Sequence, residues 1–394
     1  MRVFIAGLDG YLGWPLTQHL TAQGYEVAGL DYLLRRQWVA ELDSHSAIPI
    51  ADIYERLRAL SEHYGTTPLF RVGNLLDYDF LKSFLADFQP DVIVHLAEMP
   101  SAAYSMIDQQ HATMTQHNNV IGNLNILWAI KEVCPTAHLI KLGTMGEYGT
   151  PNTDIPEGFF EIEFRGRRDT FPFPRQASSF YHWSKVHDSN NIMFACKLWG
   201  LRATDVMQGI VFGTRIADAV DDSRLATRLD FDQCFGTVIN RFCCQAAIGH
   251  PLTIYGQGQQ VRSFLPLRDV MQCIELIIQN PPELGEYRVI NQYGLCYSVR
   301  ELAEIVQEVA SNFGLDIALQ EIANPRVEKE NHYYNPDRER LLTFGYQPTL
   351  DIKPDIRQSL ADILPHQERI AEKRDILTPD ITWHGAEILE LDTP

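Results

Sequence analysis

A tyrosine and a lysine stand four residues apart at Tyr181 and Lys185, in a segment predicted to be helical. This spacing places both side chains on one face of a helix. A free phenol has a pKa of about 10 and is a weak base at neutral pH, but a neighbouring ammonium group favours the phenolate. The pair could therefore take a proton from a substrate hydroxyl as hydride leaves the same carbon. Thr144, at the end of the preceding predicted strand, could hold the same substrate oxygen.

The Tyr-x-x-x-Lys spacing alone occurs often by chance, and a second motif gives it meaning. Gly7, Gly10 and Gly13 form a G-x-x-G-x-x-G turn directly after the apolar run RVFIA (2–6). The first glycine allows a tight turn, the second lets backbone N–H groups reach a pyrophosphate, and the third lets the following helix approach the strand. The turn therefore predicts a dinucleotide cofactor.

Asp31 ends the second predicted strand, where a carboxylate can accept hydrogen bonds from both hydroxyls of an adenosine ribose. A carboxylate there would repel a 2′-phosphate, so Asp31 favours NAD over NADP. Arg35 and Arg36 lie close by, and two interpretations stay open for them: solvated helix charges or cofactor ligands. With NAD bound, Lys185 would also donate a hydrogen bond to the nicotinamide ribose.

Strands and helices that alternate along the first half must position these groups. The predicted strands are 2–6, 26–30, 69–72, 91–97, 138–143 and 203–211, and the predicted helices are 11–23, 78–87, 118–133 and 179–199. Short apolar strands separated by helices are typical of a parallel sheet covered on both faces. We therefore predict an α/β fold with a Rossmann-type, doubly wound parallel sheet. Asn119 is expected to steady the central helix.

The pattern divides the chain into three parts. Residues 1–211 are predicted to form the NAD-binding Rossmann domain, with a polar insertion at 32–66. Beyond them the alternation breaks, and residues 212–349 are expected to form a smaller mixed lobe that binds the substrate and is interleaved with the Rossmann domain. This lobe would close over the carboxyl ends of the strands, where open α/β sheets bind ligands. Residues 350–394 are expected to be a tail packed on the body or on a partner.

The composition limits the possible partners. The 394 residues include 51 acidic and 33 basic side chains, and the net charge is −18. Nucleic acids and anionic membranes are bound by basic faces, so neither is an expected partner. The seven cysteines include no Cys-x-x-Cys, which argues against a disulfide framework and against a metal site. No apolar run of about 18 residues could cross a bilayer, and a strand that starts at residue 2 leaves no room for a cleaved leader. The expected location is the cytoplasm.

Together these residues resemble the extended short-chain dehydrogenase/reductases, and the chain from residue 1 to about 345 is similar to the UDP-sulfoquinovose synthase family. The insertion at 32–66 is also a feature of that family. The stretches that carry the resemblance are DGYLGW (9–14), SMIDQQHATMTQHNNVIGNLN (105–125), KLGTMGEYGTPN (141–152), QASSFYHWSKVHDSNNIMFACK (176–197), FGTVINRFCCQAAIGHPLTIYG (235–256) and NPRVEKENHYYN (324–335).

The resemblance implies NAD and UDP-glucose as ligands, and a homodimer is expected because dimers are common in the superfamily. It implies catalytic roles for Thr144, Tyr181 and Lys185 and an active-site position for Met145 and His182. The expected cofactor-binding residues are Gly7, Gly10, Tyr11, Leu12, Gly13, Asp31, Arg35, Arg36, Asn74, Leu75, Leu96, Asn119, Tyr181 and Lys185. The expected substrate-binding residues are Thr144, Gln208, Asn240, Gln260, Arg262 and Arg326, and the family positions of the two arginines grip the diphosphate.

The residues after Thr144 bear on the reaction. Ordinary nucleotide-sugar dehydratases carry Thr-Asp-Glu there, and the two carboxyl groups serve as acid and base for the loss of water. Here the order is Thr144-Met145-Gly146-Glu147, as in the synthase family. The implied reaction oxidises the sugar at C4, removes water across C5 and C6, adds sulfite at C6 and returns hydride to C4.

One edge of the expected pocket departs from the family. The synthases read Glu-Gln-Arg-Ser-Ala-Pro after the fourth strand, whereas this chain reads Glu-Met-Pro-Ser-Ala-Ala at 98–103. The replaced arginine is a natural holder of sulfite, and Pro100 cannot supply its charge. An NAD-dependent 4-epimerase or dehydratase that does not use sulfite is therefore the alternative. A non-catalytic dinucleotide-binding regulator is disfavoured, because it would have no use for Thr144, Tyr181 and Lys185 together.

Overall fold

Seven parallel strands form the central sheet of the computed structural model, which describes residues 1–326 and 332–383. The strands are β1 (Arg2–Ala6), β2 (Glu26–Asp31), β3 (Leu69–Val72), β4 (Val92–His95), β5 (His138–Leu142), β6 (Phe159–Phe164), β7 (Arg167–Pro172), β8 (Arg202–Gln208), β9 (Ile210–Phe212), β10 (Leu252–Tyr255), β11 (Val261–Pro266), β12 (Tyr287–Gln292), β13 (Leu295–Ser298) and β14 (Leu319–Ile322). The helices are α1 (Gly13–Ala22), α2 (Leu34–Glu41), α3 (Ile53–Tyr64), α4 (Tyr78–Phe88), α5 (Gln109–Gln116), α6 (Gly122–Val133), α7 (Phe180–Trp199), α8 (Val238–Ala247), α9 (Leu267–Gln279), α10 (Val299–Ser311), α11 (Glu339–Thr343), α12 (Lys353–Ile363) and α13 (Gln367–Ala371).

The central sheet has the order β12-β8-β5-β4-β1-β2-β3, and it winds outward in both directions from β1 and β4. Side chains of β1 alternate between two buried layers: Val3 and Ile5 pack with α1 and α9, and Phe4 and Ala6 pack with α4, α6 and α7. Burial on both faces explains why these strands are continuous apolar runs. The connections diverge between β1 and β4, which opens a crevice at the carboxyl ends of the strands. The predicted doubly wound parallel sheet is confirmed.

Two predicted elements differ from the structure. The segment 203–211 is two strands, because the chain bends at Gly209, where a Cβ atom would lie 2.8 Å from the carbonyl oxygen of Ser263. The second of these strands, β9, leaves the central sheet and pairs with β11. The predicted helix 118–133 begins earlier, at Gln109, and passes through a π-helical turn at His117–Ile121.

The C-terminal part forms smaller sheets and a helical layer with its own core. Strand β11 pairs in parallel with β9 and antiparallel with β13, so this part is mixed, as predicted. Helices α8, α10 and α12 pack together around Phe242, Val306 and Leu360. Residues 350–377, which the sequence placed in a tail, contribute buried side chains such as Ile356 to this core. Strand β12 comes from the same half of the chain but pairs with β8 in the central sheet.

Within residues 1–326 and 332–383, no helix combines the length and the apolar character needed to cross a bilayer.

Candidate functional site

A cavity of about 480 Å³ lies where the carboxyl ends of the central strands meet the C-terminal lobe. It is lined by all of the site residues expected from the sequence except Arg36, Asn119 and Asn240. The expected residues that do line it are Gly7, Gly10, Tyr11, Leu12, Gly13, Asp31, Arg35, Asn74, Leu75, Leu96, Thr144, Met145, Tyr181, His182, Lys185, Gln208, Gln260, Arg262 and Arg326.

The glycine turn forms one wall of this cavity, and its shape excludes other side chains. Gly7 has a φ of +92°, in the left-handed region, and a Cβ atom there would lie 2.7 Å from the carbonyl carbon of Leu96. A Cβ atom on Gly13 would lie 1.9 Å from the carbonyl oxygen of Gly7. The turn therefore leaves a bare backbone cradle at the start of α1, which fits a pyrophosphate. The residues at this end of the cavity thus fit a dinucleotide.

Asp31 lies beside the glycine turn, at the end of β2. Its carboxylate accepts hydrogen bonds from the backbone N–H groups of Asp9 (2.9 Å) and Leu33 (2.6 Å). Burial, together with the nearby charge of Asp9, raises the pKa of Asp31 to about 6. The group is therefore poised to accept hydrogen bonds in its ionised form near neutral pH.

Arg36 and Arg56, both from the insertion at 32–66, bind Asp9 of the glycine turn. Arg36 on α2 donates to both oxygens of Asp9, at 2.6 and 2.9 Å, and Arg56 on α3 donates to the same carboxylate at 2.5 Å. Arg56 is fully buried and stacks over Trp14, 4.1 Å from the ring centroid. Arg35 instead binds Asp230 (2.8 Å) and lies on the cavity wall. The insertion thus braces the turn, a role that the sequence did not indicate.

Tyr181 and Lys185 lie on the first turns of α7, which Ser179 caps by accepting from the N–H of His182. The ammonium group of Lys185 is 5.8 Å from the Tyr181 ring centroid and donates to the carbonyl of Leu142 at 2.6 Å. Burial lowers the pKa of Lys185 to about 8 and raises the pKa of the Tyr181 phenol. The ammonium charge of Lys141 acts in the opposite direction and favours a phenolate at Tyr181.

Glu98 is a buried carboxylate of this site that the sequence reasoning did not single out. It pairs with Lys185, lies 3.2 Å from His95, and lines the cavity directly after β4. An acid just past the end of a central strand was a signal available in the sequence, because strand ends meet at the ligand crevice. The pair with Glu98 offsets part of the cost of burying the Lys185 charge.

The turn after β5 places Thr144 and Met145 on the cavity wall and directs Glu147 inward. The Thr144 hydroxyl accepts from the N–H of Gly146 (3.1 Å) and caps this short turn. Glu147 is fully buried, accepts from Lys141 (3.2 Å) and Ser189 (2.9 Å), and is absent from the cavity lining. The carboxyl group of this turn is therefore structural, and the cavity has a thioether at position 145.

His182 faces the same turn: a Cβ atom on Gly146 would lie 2.4 Å from its Nε2 atom. Its Nδ1 atom lies 3.0 Å from the Ser179 hydroxyl. Burial, with the charges of Arg326 and Arg262, lowers the pKa of His182 to about 3. The imidazole is therefore neutral at physiological pH and can exchange hydrogen bonds with a substrate without adding charge.

Three arginines line the part of the cavity formed by the C-terminal lobe: Arg241, Arg262 and Arg326. Arg241 donates to the Tyr255 hydroxyl at 2.6 Å, and Arg262 lies 2.8 Å from His332. The sequence reasoning missed Arg241 and Tyr255, which belong to no motif and are brought to the cavity by the packing of α8 on β10. Three guanidinium groups in an acidic protein suit a diphosphate, which accepts paired hydrogen bonds from planar donors.

Gln208 and Gln260 are held in place within this region. Gln208 donates to the side chain of Gln292 at 2.8 Å, and Gln260 donates to the carbonyl of Tyr255 at 3.2 Å. Asn240, in contrast, lies outside the cavity lining. It accepts from the N–H of Gly213 (3.0 Å) and donates to the Tyr11 hydroxyl (3.2 Å).

Asn119 lies behind the cavity, where it joins α7 to the loop after β4. Its side chain accepts from the N–H of Met99 (2.8 Å), and its amide group donates to the Met99 carbonyl (3.2 Å) and to Ser184 (2.9 Å). Met99 is fully buried, whereas Pro100 lines the cavity. Three residues depart from the synthase pattern, Met99, Pro100 and Ala103, and of these Pro100 and Ala103 line the ligand space.

Comparison with known proteins gives a family and two close relatives. Residues 3–291 match the model of the NAD dependent epimerase/dehydratase family. The chain is 47% identical over 382 residues to a chloroplastic UDP-sulfoquinovose synthase of Spinacia oleracea, with 97% of this chain and 79% of the relative covered. It is 44% identical over 384 residues to a UDP-sulfoquinovose synthase of Sulfolobus acidocaldarius, with coverages of 97% and 98%.

Solved structures support the same fold at lower identity. A UDP-glucose 4-epimerase of Thermotoga maritima with UDP-glucose matches with a TM-score of 0.69 and 17% identity, over 92% of this chain and 98% of the epimerase. A UDP-glucuronic acid 4-epimerase of Bacillus cereus in complex with UDP-glucuronic acid and NAD matches with a TM-score of 0.69 and 19% identity, over 92% and 99%.

Proposed function

Because the chain belongs to the NAD dependent epimerase/dehydratase family and is similar over nearly its whole length to UDP-sulfoquinovose synthases, we propose that it makes a sulfonated nucleotide sugar from UDP-glucose and sulfite. It is an NAD-dependent enzyme of the extended short-chain dehydrogenase/reductase type. The observation that carries the proposal is that the glycine turn, the Tyr181–Lys185 pair and the arginine cluster line one cavity.

The residues along the glycine turn would hold the cofactor. Gly7, Gly10 and Gly13 would bind the pyrophosphate, Asp31 would accept hydrogen bonds from the adenosine ribose hydroxyls, and Lys185 would donate to the nicotinamide ribose. Bound NAD supplies a hydride acceptor during sugar oxidation and a hydride donor at the end. Arg36 and Arg56 act indirectly, because they hold the turn through Asp9.

Tyr181 is the general base and acid of the sugar chemistry. Its phenolate, favoured by Lys185, takes the proton of the 4-hydroxyl as hydride leaves C4, and the Thr144 hydroxyl holds the same oxygen. The resulting 4-ketone acidifies the C5 proton, so that water leaves across C5 and C6 and gives an enone. Sulfite adds at C6 and a proton returns to C5. Tyr181 gives its proton back to O4 as hydride returns to C4.

The cavity wall at positions 144–147 supports this assignment. Glu147 is held by Lys141 and Ser189, so this turn offers no carboxylic acid to the ligand. Met145 and neutral His182 occupy the wall instead. This turn would therefore place no carboxylate beside an added anion.

Mass spectrometry of the products from UDP-glucose and NAD, with and without sulfite, tests the proposal. A sulfite-dependent product with the mass of a UDP-sulfosugar is expected. Conversion of UDP-glucose to an isomer or a dehydrated sugar, with no sulfur incorporated at any sulfite concentration, would contradict it and would support the second candidate.

That second candidate is a 4-epimerase or dehydratase that does not use sulfite, and it is favoured by one observation. Pro100 lines the cavity at the position of an arginine in the synthases, so this residue supplies no positive charge. A charge-assisted contact is worth about 1.5–3 kcal/mol, or one to two powers of ten in affinity. Pro100→Arg is therefore expected to lower the sulfite concentration needed for incorporation, and Pro100→Gln is the matched uncharged control.

The assembly and the compartment are further parts of the proposal. Phe194 and Leu198, one turn apart on α7, and Trp128 on the adjacent α6 are exposed apolar side chains. They support a homodimer through this helix pair, and Phe194→Glu is expected to give monomers in analytical ultracentrifugation. All seven cysteines are free thiols, which supports a reducing compartment such as the cytoplasm.

A further inference from the structure

A short segment near the C-terminal end of the described chain, Thr378 to Trp383, runs from the lobe core to the cavity. It follows Leu377, which is fully buried and whose carbonyl accepts from the side chain of Gln245 at 3.4 Å. It ends at Trp383, which lines the cavity. We call residues 378–383 the strap.

The strap is tied to the cavity wall through Gln233. The side-chain oxygen of Gln233 accepts from the backbone N–H groups of Asp380 (2.9 Å) and Ile381 (3.0 Å), and its side-chain NH₂ group donates to the Asp380 carboxylate. One side chain thus satisfies two backbone donors and one carboxylate of the strap. Gln233 itself lines the cavity. The strap is therefore fixed on one side of the ligand space.

The other side is fixed at the loop that carries Arg326. The backbone N–H of Trp383 donates to the carbonyl of Pro325 at 3.0 Å, and the Arg326 guanidinium lies over the Trp383 ring, 5.2 Å from its centroid. A guanidinium over an indole face is attracted to it, and its N–H edges stay available for in-plane acceptors. Trp383 therefore limits the orientations of an arginine that lines the cavity.

We propose that the strap completes the phosphate-binding part of the cavity and that Trp383 is a positioning residue, which holds Arg326 for the diphosphate of the nucleotide sugar. The inference rests on the proposed function, because it takes a nucleoside diphosphate as the ligand. Ordering a flexible arginine before the ligand arrives reduces the entropy lost on binding. The strap thus contributes affinity for the nucleotide sugar and none for NAD, whose pyrophosphate lies at the glycine turn.

Calorimetric titration of the full chain with UDP, and separately with NAD, tests the inference. Trp383→Ala is expected to raise the Kd for UDP about three- to tenfold and to leave the Kd for NAD unchanged, whereas Trp383→Phe stays near the native value. Trp383→Ala should have no further effect in an Arg326→Ala background, because the tryptophan acts through the arginine. A chain that ends at Trp383 should bind UDP like the full chain, and a chain that ends at Leu377 should bind it at least as weakly as Trp383→Ala.

The outcomes separate this inference from the proposed function. If the native chain binds NAD but not UDP, the proposed function fails and the inference with it. If the native chain binds UDP and Trp383→Ala binds it equally well, or if its effect persists without Arg326, the inference alone is overturned. Equal weakening of UDP and NAD binding would mean a general structural role and would also overturn it. If the chain ending at Leu377 does not fold, the point variants decide.

Discussion

Replacement of Asp31 by asparagine should weaken NAD binding and at the same time stabilise the cofactor-free protein at neutral pH. The pKa of Asp31 rises from its ordinary value of 3.8 to about 6, first because of burial and second because of Asp9. A raised pKa means that the fold favours the protonated form, so this contribution to stability is complete below about pH 4 and is lost as the pH rises through about 6. The shift of about two pKa units corresponds to about 3 kcal/mol.

Asparagine resembles the protonated carboxyl group, so Asp31→Asn should recover up to about 3 kcal/mol of this loss at pH 7. The gain is an upper bound, because the two backbone N–H groups donate to different carboxylate oxygens and asparagine keeps only one acceptor oxygen, so one of these hydrogen bonds is lost. The variant should also lose its preference for NAD over NADP. Chemical denaturation of the NAD-free proteins at pH 5 and pH 7 measures the stability difference.

The affinity for NAD should follow the ionisation of the same carboxylate. With a pKa of about 6, about one Asp31 side chain in ten is ionised at pH 5, so the Kd for NAD should be about tenfold higher at pH 5 than at pH 7. His182, with a pKa of about 3, stays neutral over this range. Asp31→Asn should bind weakly with no pH dependence, and Asp79→Asn, on the exposed first turn of α4, is the matched control. A native Kd that is constant from pH 5 to 7, or an equal slope in Asp31→Asn, would refute the reasoning.

Three further variants test the machinery. Tyr181→Phe should lower turnover by about 10²–10⁴-fold, because it removes the general base, while the Kd for NAD stays near native; native-like turnover would remove Tyr181 from the mechanism. Gly13→Ala should abolish NAD binding, because its Cβ atom would overlap the Gly7 carbonyl oxygen at 1.9 Å. A variant that binds NAD with the native affinity would contradict the assignment of the pyrophosphate to this turn. Arg56→Met should lower the free energy of unfolding by about 1–3 kcal/mol, because the buried Asp9 carboxylate loses one of its two arginine donors and keeps Arg36; an equal loss in the exposed-pair control Arg71→Met would show a nonspecific effect.

The features that the sequence predicts well are those with a local physical cause. The glycine turn, Asp31 and the Tyr181–Lys185 pair are each specified by spacing within one strand, turn or helix, and all of them lie on the cavity. The central sheet follows from apolar runs at regular intervals, which only burial on both faces explains. The break between β8 and β9 at Gly209 could not be predicted from local spacing, because it depends on the close approach of Ser263 from a distant strand.

The features that the sequence does not predict depend on contacts between distant segments. Arg56 lies in an insertion that the sequence shows to be polar, yet it is fully buried, because Asp9 neutralises it and Trp14 covers it. Arg241 reads as one charge in an apolar helix, and only the position of Tyr255 brings it to the cavity wall. The positions of such charged side chains depend on the residues they contact, and the sequence pattern does not indicate which distant residues those are.

The buried charges next to β5 explain why methionine at position 145, where ordinary nucleotide-sugar dehydratases carry an aspartate, leaves the turn after β5 without an acid for the ligand. Lys141 is fully buried in the middle of an apolar strand and lies 3.2 Å from Glu147 and 3.3 Å from Asp205. An unpaired buried ammonium group would be far costlier than the pair, so Glu147 is held inward and cannot turn toward the ligand without leaving Lys141 short of a partner. Position 145 is then the residue of this turn best placed to present an acid to the sugar, and it is methionine. The cavity is therefore lined by Tyr181 and Lys185 without a carboxylic acid at this turn, an arrangement in which an anionic nucleophile such as sulfite would meet less repulsion than beside a carboxylate.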